Sequence, residues 1–376
     1  MSDLRPRDDR AASAPVVARH GRQKRRSPWP RLFQLIGIVV AVVLVASVST
    51  GTIVAWKLKT ELDSGGTTIK ADKTAISDIG KIAGGFNILI VGSDACTEDC
   101  KNYGKRASAL NDVNILLHVS QDQTNAVAVS FPRDLVLPIP ACEKADGSGV
   151  TPAQSDQPLN VALTDGGLNC VALTITKLTG LDIQFAGLIT FPGVIAMSNA
   201  VGGVPVCVTK AVSDPRTGLK LKAGYTTLKG TQALAFLRTR HAFGDGSDLS
   251  RIGAQQAYMT SLVRTIKSKD TLGSVQKVYS LAEAAAKNMT LSKNFRQLDT
   301  MVSIALALKD VPSKNITFVQ FPSTTGVGGV YQGKVAPVEP DAANMIKYIQ
   351  EDKPFTPKDL GTRGCLLYTS PSPRDS

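Results

Sequence analysis

The chain has 376 residues, 43% apolar and 20% charged, with 43 Lys and Arg against 31 Asp and Glu for a net charge of +12. Such a composition excludes a wholly disordered chain. The placement of the charge argues against a nucleic-acid reader: residues 1–31 hold nine Lys or Arg against three Asp, half of the whole excess, in a tail too short for a DNA-reading fold.

Residues 1–31 read as a basic, disordered cytoplasmic tail suited to anionic lipid. Residues 32–56 are 25 in a row without a charge, enough to cross about 30 Å of hydrocarbon at about 1.5 Å per residue. They are predicted to form a single transmembrane helix. Trp29 and Trp56 bracket it at interface positions, and the basic cluster before it keeps the N-terminus in the cytoplasm. The chain is therefore expected in the cell membrane as a single-pass protein whose later residues are extracytoplasmic.

Residues 57–84 are polar, with a Gly-Gly, and read as a stalk. A catalytic domain is expected over 85–355. Its β-branched runs at 86–91, 113–119, 126–131, 204–208 and 316–320 predict strands. Helical patterns occupy 167–178, 192–200, 229–238, 249–266, 272–288 and 294–308. This alternation predicts an α/β fold, a single α-β-α layered domain around a central mixed sheet. Residues 356–376 read as a disordered tail, and the ending CLLYTSPSPRDS resembles a translated sequencing adapter, so Cys365 is set aside.

Five other cysteines fit an oxidising compartment. Cys96 and Cys100 flank a short loop. Cys142 and Cys170 bracket a Gly/Ser/Pro/Asp-rich excursion that a bridge would tether, and Cys207 is left over, expected to be buried in a strand. Zinc at Cys96 and Cys100 lacks a nearby His and a second pair.

Four features carry candidate chemistry: Gly92-Ser93-Asp94 at a strand end, Asn111-Asp112 before the next strand, Arg133-Asp134 after the third, and Arg238-Thr239-Arg240-His241 followed by Arg251 and Gln255. Each alone is an ordinary turn or solvated face. Together they are carboxylates that with water bind magnesium and arginines that grip phosphate oxygens, a set that suits a diphosphate ester. Arg251 and Gln255 share a helix face near its N-terminus, where a cation is favourable only beside a bound anion. The chain has no G-x-S-x-G elbow, Walker loop, H-E-x-x-H or G-x-G-x-x-G. Its three histidines, His20, His118 and His241, leave little room for a His-based site.

From about residue 86 to 256 the chain resembles the LytR-CpsA-Psr family of Gram-positive and actinobacterial envelopes. The likeness rests on NILIVGSD (87–94), NDVNILLHVS (111–120), SFPRD (130–134), LNVALTDGG (159–167), FPGVIAMSNAVGGVPVCV (191–208), LKGTQALAFLRTRH (228–241) and DLSRIGAQQ (248–256). The resemblance implies a phosphotransferase that moves a glycan from a polyprenyl-diphosphate carrier onto a peptidoglycan hydroxyl as a phosphodiester. It implies magnesium held by Asp94 and Asp112, with Arg133, Arg238, Arg240, Arg251 and Gln255 around the diphosphate. It also implies an apolar tunnel for the prenyl chain, to which residues 189–200 would contribute. Asp134 or a magnesium-bound water is the expected proton acceptor. The partners are then the lipid-linked glycan, peptidoglycan and membrane lipid, not nucleic acid. Two positions depart from the family pattern: Leu110-Asn111-Asp112-Val113 replaces Arg-Ser-Asp-Thr, and Ala254 replaces a second arginine. The first leaves the metal carboxylate intact, and the second removes a positive charge that bears on acceptor choice. A membrane-anchored binding protein for wall polymer or polyprenyl diphosphate, and a pyrophosphatase that hands the phosphate to water, are the alternatives.

Overall fold

The structure is a computed structural model that describes residues 53, 56, 60, 66–69, 82–94, 110–208, 211–239, 248–268, 271 and 275–355. The chain divides into two units, Met1–Ala55 and Trp56–Ser376, and the fold described belongs to the second. The tails at 1–31 and 356–376, Cys96, Cys100, Arg240 and His241 lie outside the described residues, as does the predicted span apart from Ile53 and Trp56. Among the described residues no helix is long and apolar enough to cross a membrane.

Three strands open the domain: β1 (Phe86–Ser93), β2 (Asn111–Val119) and β3 (Ala126–Phe131). An excursion of β4 (Val136–Ile139), β5 (Cys142–Glu143), β6 (Val150–Thr151) and β7 (Gln154–Pro158) leads to helix α1 (Ala162–Thr179). β8 (Phe185–Ile189) and α2 (Phe191–Ala200) follow. After them come β9 (Val204–Val208), β10 (Val212–Asp214), β11 (Leu219–Leu221) and β12 (Gly224–Leu228). The chain continues through α3 (Gly230–Arg238), α4 (Asp248–Lys267), α5 (Val275–Asn288), β13 (Met289–Leu291), α6 (Lys293–Arg296), α7 (Leu298–Asp310) and β14 (Ile316–Gln320). The short β15 (Ser323–Thr324) and β16 (Ala336–Pro337) precede α8 (Asp341–Gln350).

The central sheet has six strands in the order β13-β8-β1-β2-β3-β14. β8 and β1 are parallel, as are β3 and β14, whereas β2 is antiparallel to both its neighbours and β13 is antiparallel to β8. The sheet is mixed, as expected. Period-two alternation builds its two faces. Leu89, Val91, Leu116, Val127, Val129 and Phe131 join Val171 and Ile175 of α1 and Met345 and Ile349 of α8 in one core. Phe86, Ile88, Val119 and Ala126 join Ile304 and Ala307 of α7 in another. The result is an α-β-α arrangement.

A third core lies in the hairpin region: Val204, Val206 and Val208 cluster with Leu219, Leu228, Phe236 and Tyr258. The predicted strand at 204–208 thus pairs with β12 outside the central sheet. This pairing corrects one expectation. Cys207 is an exposed free cysteine, because the alternation that buries the three valines turns Pro205 and Cys207 outward.

The helix expected at 167–178 begins earlier, at Ala162, and is broken at Gly166 and Gly167, where Gly167 takes φ 65° and ψ −159°. That conformation is open to glycine almost alone. A Cβ on Gly166 would lie 2.7 Å from the Cβ of Cys142 and 2.9 Å from that of Cys170. Glycine there makes room for the Cys142–Cys170 disulfide, which joins the excursion to α1. The helix expected at 294–308 is two helices, separated by extended backbone at Gln297. Within the stretch read as a stalk, Thr67 bridges Ser292 and Ile69 is buried in the first core.

Candidate active site

Because β2 runs against β1, β3 and β8, its first residues share an edge of the sheet with the last residues of those three strands. Asp94 directly follows β1, Asp112 is the second residue of β2, and Arg133 and Asp134 follow β3. Phe191 lies two residues beyond Ile189, which pairs with Gly92. Three separate stretches therefore deliver polar residues, and a fourth the Phe191 ring, to one edge, where open sheets carry ligand loops.

The register specifies more than the edge. A shift between Gly92 and Ser93 makes Gly92 pair with Val113 and Ser93 with Asn111, so Asp112 is the extra residue of a bulge. Bulges re-aim side chains. On its other side β2 pairs Asn114 with Phe131, the last residue of β3, and Asp112 and Arg133 each lie two residues beyond that pair. Their side chains meet: Arg133 Nη1 donates to Asp112 Oδ1 at 2.5 Å, and Arg133 Nε donates to Asp134 Oδ2 at 3.3 Å. Asp94 is buried and accepts from the Leu110 N–H at 3.4 Å.

Arg238 ends α3, where a cation complements the helix dipole. Its guanidinium carbon stands 4.6 Å from the centroid of the Phe191 ring. A stacked guanidinium keeps its N–H edge available for oxyanions. Two anchors hold the end of α3. Thr239 is fully buried and its hydroxyl donates to Asp214 Oδ2. Burial raises the Asp214 pKa, but the Thr239 hydroxyl and the N–H groups of Arg216 and Thr217 outweigh it and hold the carboxyl below its ordinary value. Gln255, buried on α4, donates from Nε2 to the Leu237 carbonyl at 3.2 Å, so the described contact of this residue braces the two helices. Arg251 belongs to α4, with its side chain outside the described residues. Ala254 packs in the apolar core with Phe236 and Tyr258.

Among the described residues no group of three or more His, Cys, Asp or Glu is arranged to hold a metal. The residues at the edge nevertheless fit a hard cation that keeps water and phosphate among its ligands. Asp94 and Asp112 offer carboxylate oxygens, and Asn111 between them in the ladder has a buried Oδ1 without a hydrogen-bond partner.

Sequence reasoning gave no role to Asn160, which begins the approach to α1. Its backbone N–H donates to the Arg133 carbonyl at 2.8 Å and its Nδ2 to Asp134 Oδ1 at 3.3 Å. Phe191, expected only as part of the tunnel wall at 189–200, is instead the platform under Arg238. The signal for both lay in the blocks LNVALTDGG and FPGVIAMSNA, where a polar or aromatic residue sits at the join between an extended segment and a helix.

The chain is 29% identical over 302 residues to the cell wall biosynthesis protein LcpA of Corynebacterium glutamicum, covering 73% of this chain and 57% of that one. The chain thus spans little more than half the length of that relative. It is 23% identical over 352 residues to the polyisoprenyl-teichoic acid–peptidoglycan teichoic acid transferase TagT of Bacillus subtilis, covering 91% of this chain and 99% of TagT. Among solved structures, a LytR-Csp2A-Psr enzyme from Actinomyces oris shares the fold, with a TM-score of 0.54 at 21% identity over 78% of this chain and 97% of its own. The LytR_cpsA_psr family model matches residues 50–351, nearly the whole of the described domain, and the chain belongs to that family.

Proposed function

We propose that the protein transfers a glycan polymer from a polyprenyl-diphosphate carrier to a hydroxyl of peptidoglycan, forming a phosphodiester. The observation that carries the reading is the convergence of Asp94, Asp112, Arg133 and Asp134 on one sheet edge, with Arg238 at the neighbouring strand end. It is supported by TagT, named as a polyisoprenyl-teichoic acid–peptidoglycan transferase.

In this mechanism Arg133 and Arg238 bind the non-bridging oxygens of the diphosphate, and the family resemblance assigns Arg240 and Arg251 to the same task. Negative charge grows on the bridging oxygen as the bond to the lipid phosphate breaks, and fixed guanidiniums lower that barrier. Magnesium held by Asp94 and Asp112 would add Lewis-acid neutralisation of the phosphate oxygens when bound. The attacking sugar hydroxyl loses its proton to Asp134, whose side chain is 27% exposed and so reachable by an acceptor. The carrier leaves as prenyl monophosphate.

The prenyl chain is assigned to α2. Val194, Ile195 and Met197 are only half-buried and belong to none of the three cores, although the helix is almost wholly apolar. Such side chains suit a lipid-lined wall. The uncharged stretch at 32–56 supports anchorage in the cell membrane with the domain outside. The test is incubation of the protein with magnesium, a short lipid-diphosphate glycan and a peptidoglycan oligomer. Prenyl monophosphate should appear together with a glycosyl-phosphate adduct on the oligomer. Monophosphate without adduct would make it a pyrophosphatase, and binding without either product a carrier protein.

A further inference from the structure

Asn160 belongs to the short turn Leu159–Val161 that joins β7 to α1. It is one of the buried polar residues, 9% exposed. Its two donors are spent on adjacent residues of one loop: the backbone N–H on the Arg133 carbonyl and Nδ2 on Asp134 Oδ1. The neighbouring Leu159 N–H donates to the Leu135 carbonyl at 2.9 Å, so the turn and the loop after β3 are laced over three consecutive residues. The Asn160 Oδ1, in contrast, is buried with no hydrogen-bond partner. A buried carbonyl oxygen left unmatched costs stability of its own, and a fold keeps one where a ligand or water completes it.

We infer that Asn160 is the positioning residue for Asp134, holding its carboxylate in place to accept the proton of the incoming acceptor sugar. The inference rests on the transferase reading and deepens it by defining the acceptor side of the site. Among the described residues, the other donor to the Asp134 carboxylate is Arg133 Nε, a long contact at 3.3 Å. The amide donor on Oδ1 and the guanidinium donor on Oδ2 together fix the plane of the carboxylate, which sets the direction in which it can accept a proton. The balance of the step is simple. The acceptor O–H gives its proton to Asp134, the acceptor oxygen bonds to the glycan-side phosphorus, and the bridging P–O electrons leave with the prenyl monophosphate. Water can then take the proton from Asp134.

The test compares Asn160→Ala and Asn160→Asp with wild type in the transfer assay, as a function of pH, with circular dichroism of each folded protein. Asn160→Ala should lower kcat about 10- to 100-fold and leave KM for both the oligomer and the lipid donor within about threefold. Asn160→Asp places a second carboxyl on Asp134, so the acid limb of its pH–rate profile should move upward by about one unit or more. An unmoved limb in Asn160→Asp, a rise in donor KM alone, or activity of Asn160→Ala equal to wild type would each overturn the inference. Loss of folding in both variants would do the same by making Asn160 structural. If wild type itself transfers nothing at any pH, the transferase reading is what has failed.

Discussion

Replacing Arg133 with alanine perturbs stability and chemistry by different amounts, and the two can be measured apart. In the folded protein Arg133 donates to Asp112 at 2.5 Å and to Asp134 at 3.3 Å, with side chains of the three residues 20–27% exposed. The first is a short charge-assisted bond and the second a weak one. With solvent still in contact, their loss should cost about 1–2 kcal/mol of unfolding free energy, the low end for bonds to charged groups. The lost guanidinium should cost transfer more, about 10²- to 10³-fold in kcat, as expected for a preplaced group that faces transition-state charge. Arg133→Lys keeps the charge but cannot span both carboxylates, and should fall between the two. Urea unfolding gives the first quantity and single-turnover release of prenyl monophosphate the second. A variant that transfers within threefold of wild type, whatever its stability, would refute the placement of Arg133 at the reacting phosphate.

Reduction of the Cys142–Cys170 bridge, which closes a separation of 28 residues, should lower stability by about 3–4 kcal/mol on chain-entropy grounds. Urea midpoints with and without reductant would check this. Gly193→Ala places a Cβ 2.6 Å from the Asn288 carbonyl oxygen and 2.8 Å from Ile189 Cγ1. It should cost about 1–3 kcal/mol and weaken capture of a long prenyl donor more than a short one, read from KM for the two donors. Burial holds the His118 imidazole below its ordinary pKa, although Asp352, 2.8 Å from Nε2, pulls it up. A histidine depressed in the folded state leaves the unfolded chain holding more protons below about pH 6.5. Its contribution is thus complete above that pH and is lost as pH falls toward the folded value. Denaturation midpoints between pH 8 and 5 should decline less steeply for His118→Gln than for wild type.

Strongly periodic segments were legible in the chain itself. β3, β9 and β14 fall at the expected residues, and α2, α3 and α4 within a residue or so. β8 was not legible, although it lies beside β1 in the middle of the sheet, because it is five residues long with Gly187 at its centre. The break in α1 escaped because a helical pattern runs through Gly166 and Gly167, and only the disulfide beside them shows why the chain must bend there. Of the site, the residue types at strand ends were readable, but their convergence was not. That depends on β2 running against its neighbours and on a one-residue bulge, and both are matters of long-range pairing. Asn160 went unseen for a related reason: its partners are 26 residues away and meet it only once β4 and β7 have paired.

The ladder that ends at Asn114 and Phe131, and so brings Asp112 within reach of Arg133, works as a ruler whose marks are hydrogen bonds of the backbone. Lengthening the connection that leads into β2 leaves those marks where they are, whereas adding or deleting one residue inside β2 slides one charge past the other while the sheet still closes. Variation in chain length among functional versions of this domain should accordingly collect between the strands. A graft of Asp112 and Arg133 would need the host to supply the same pairing offset before any side chain is chosen.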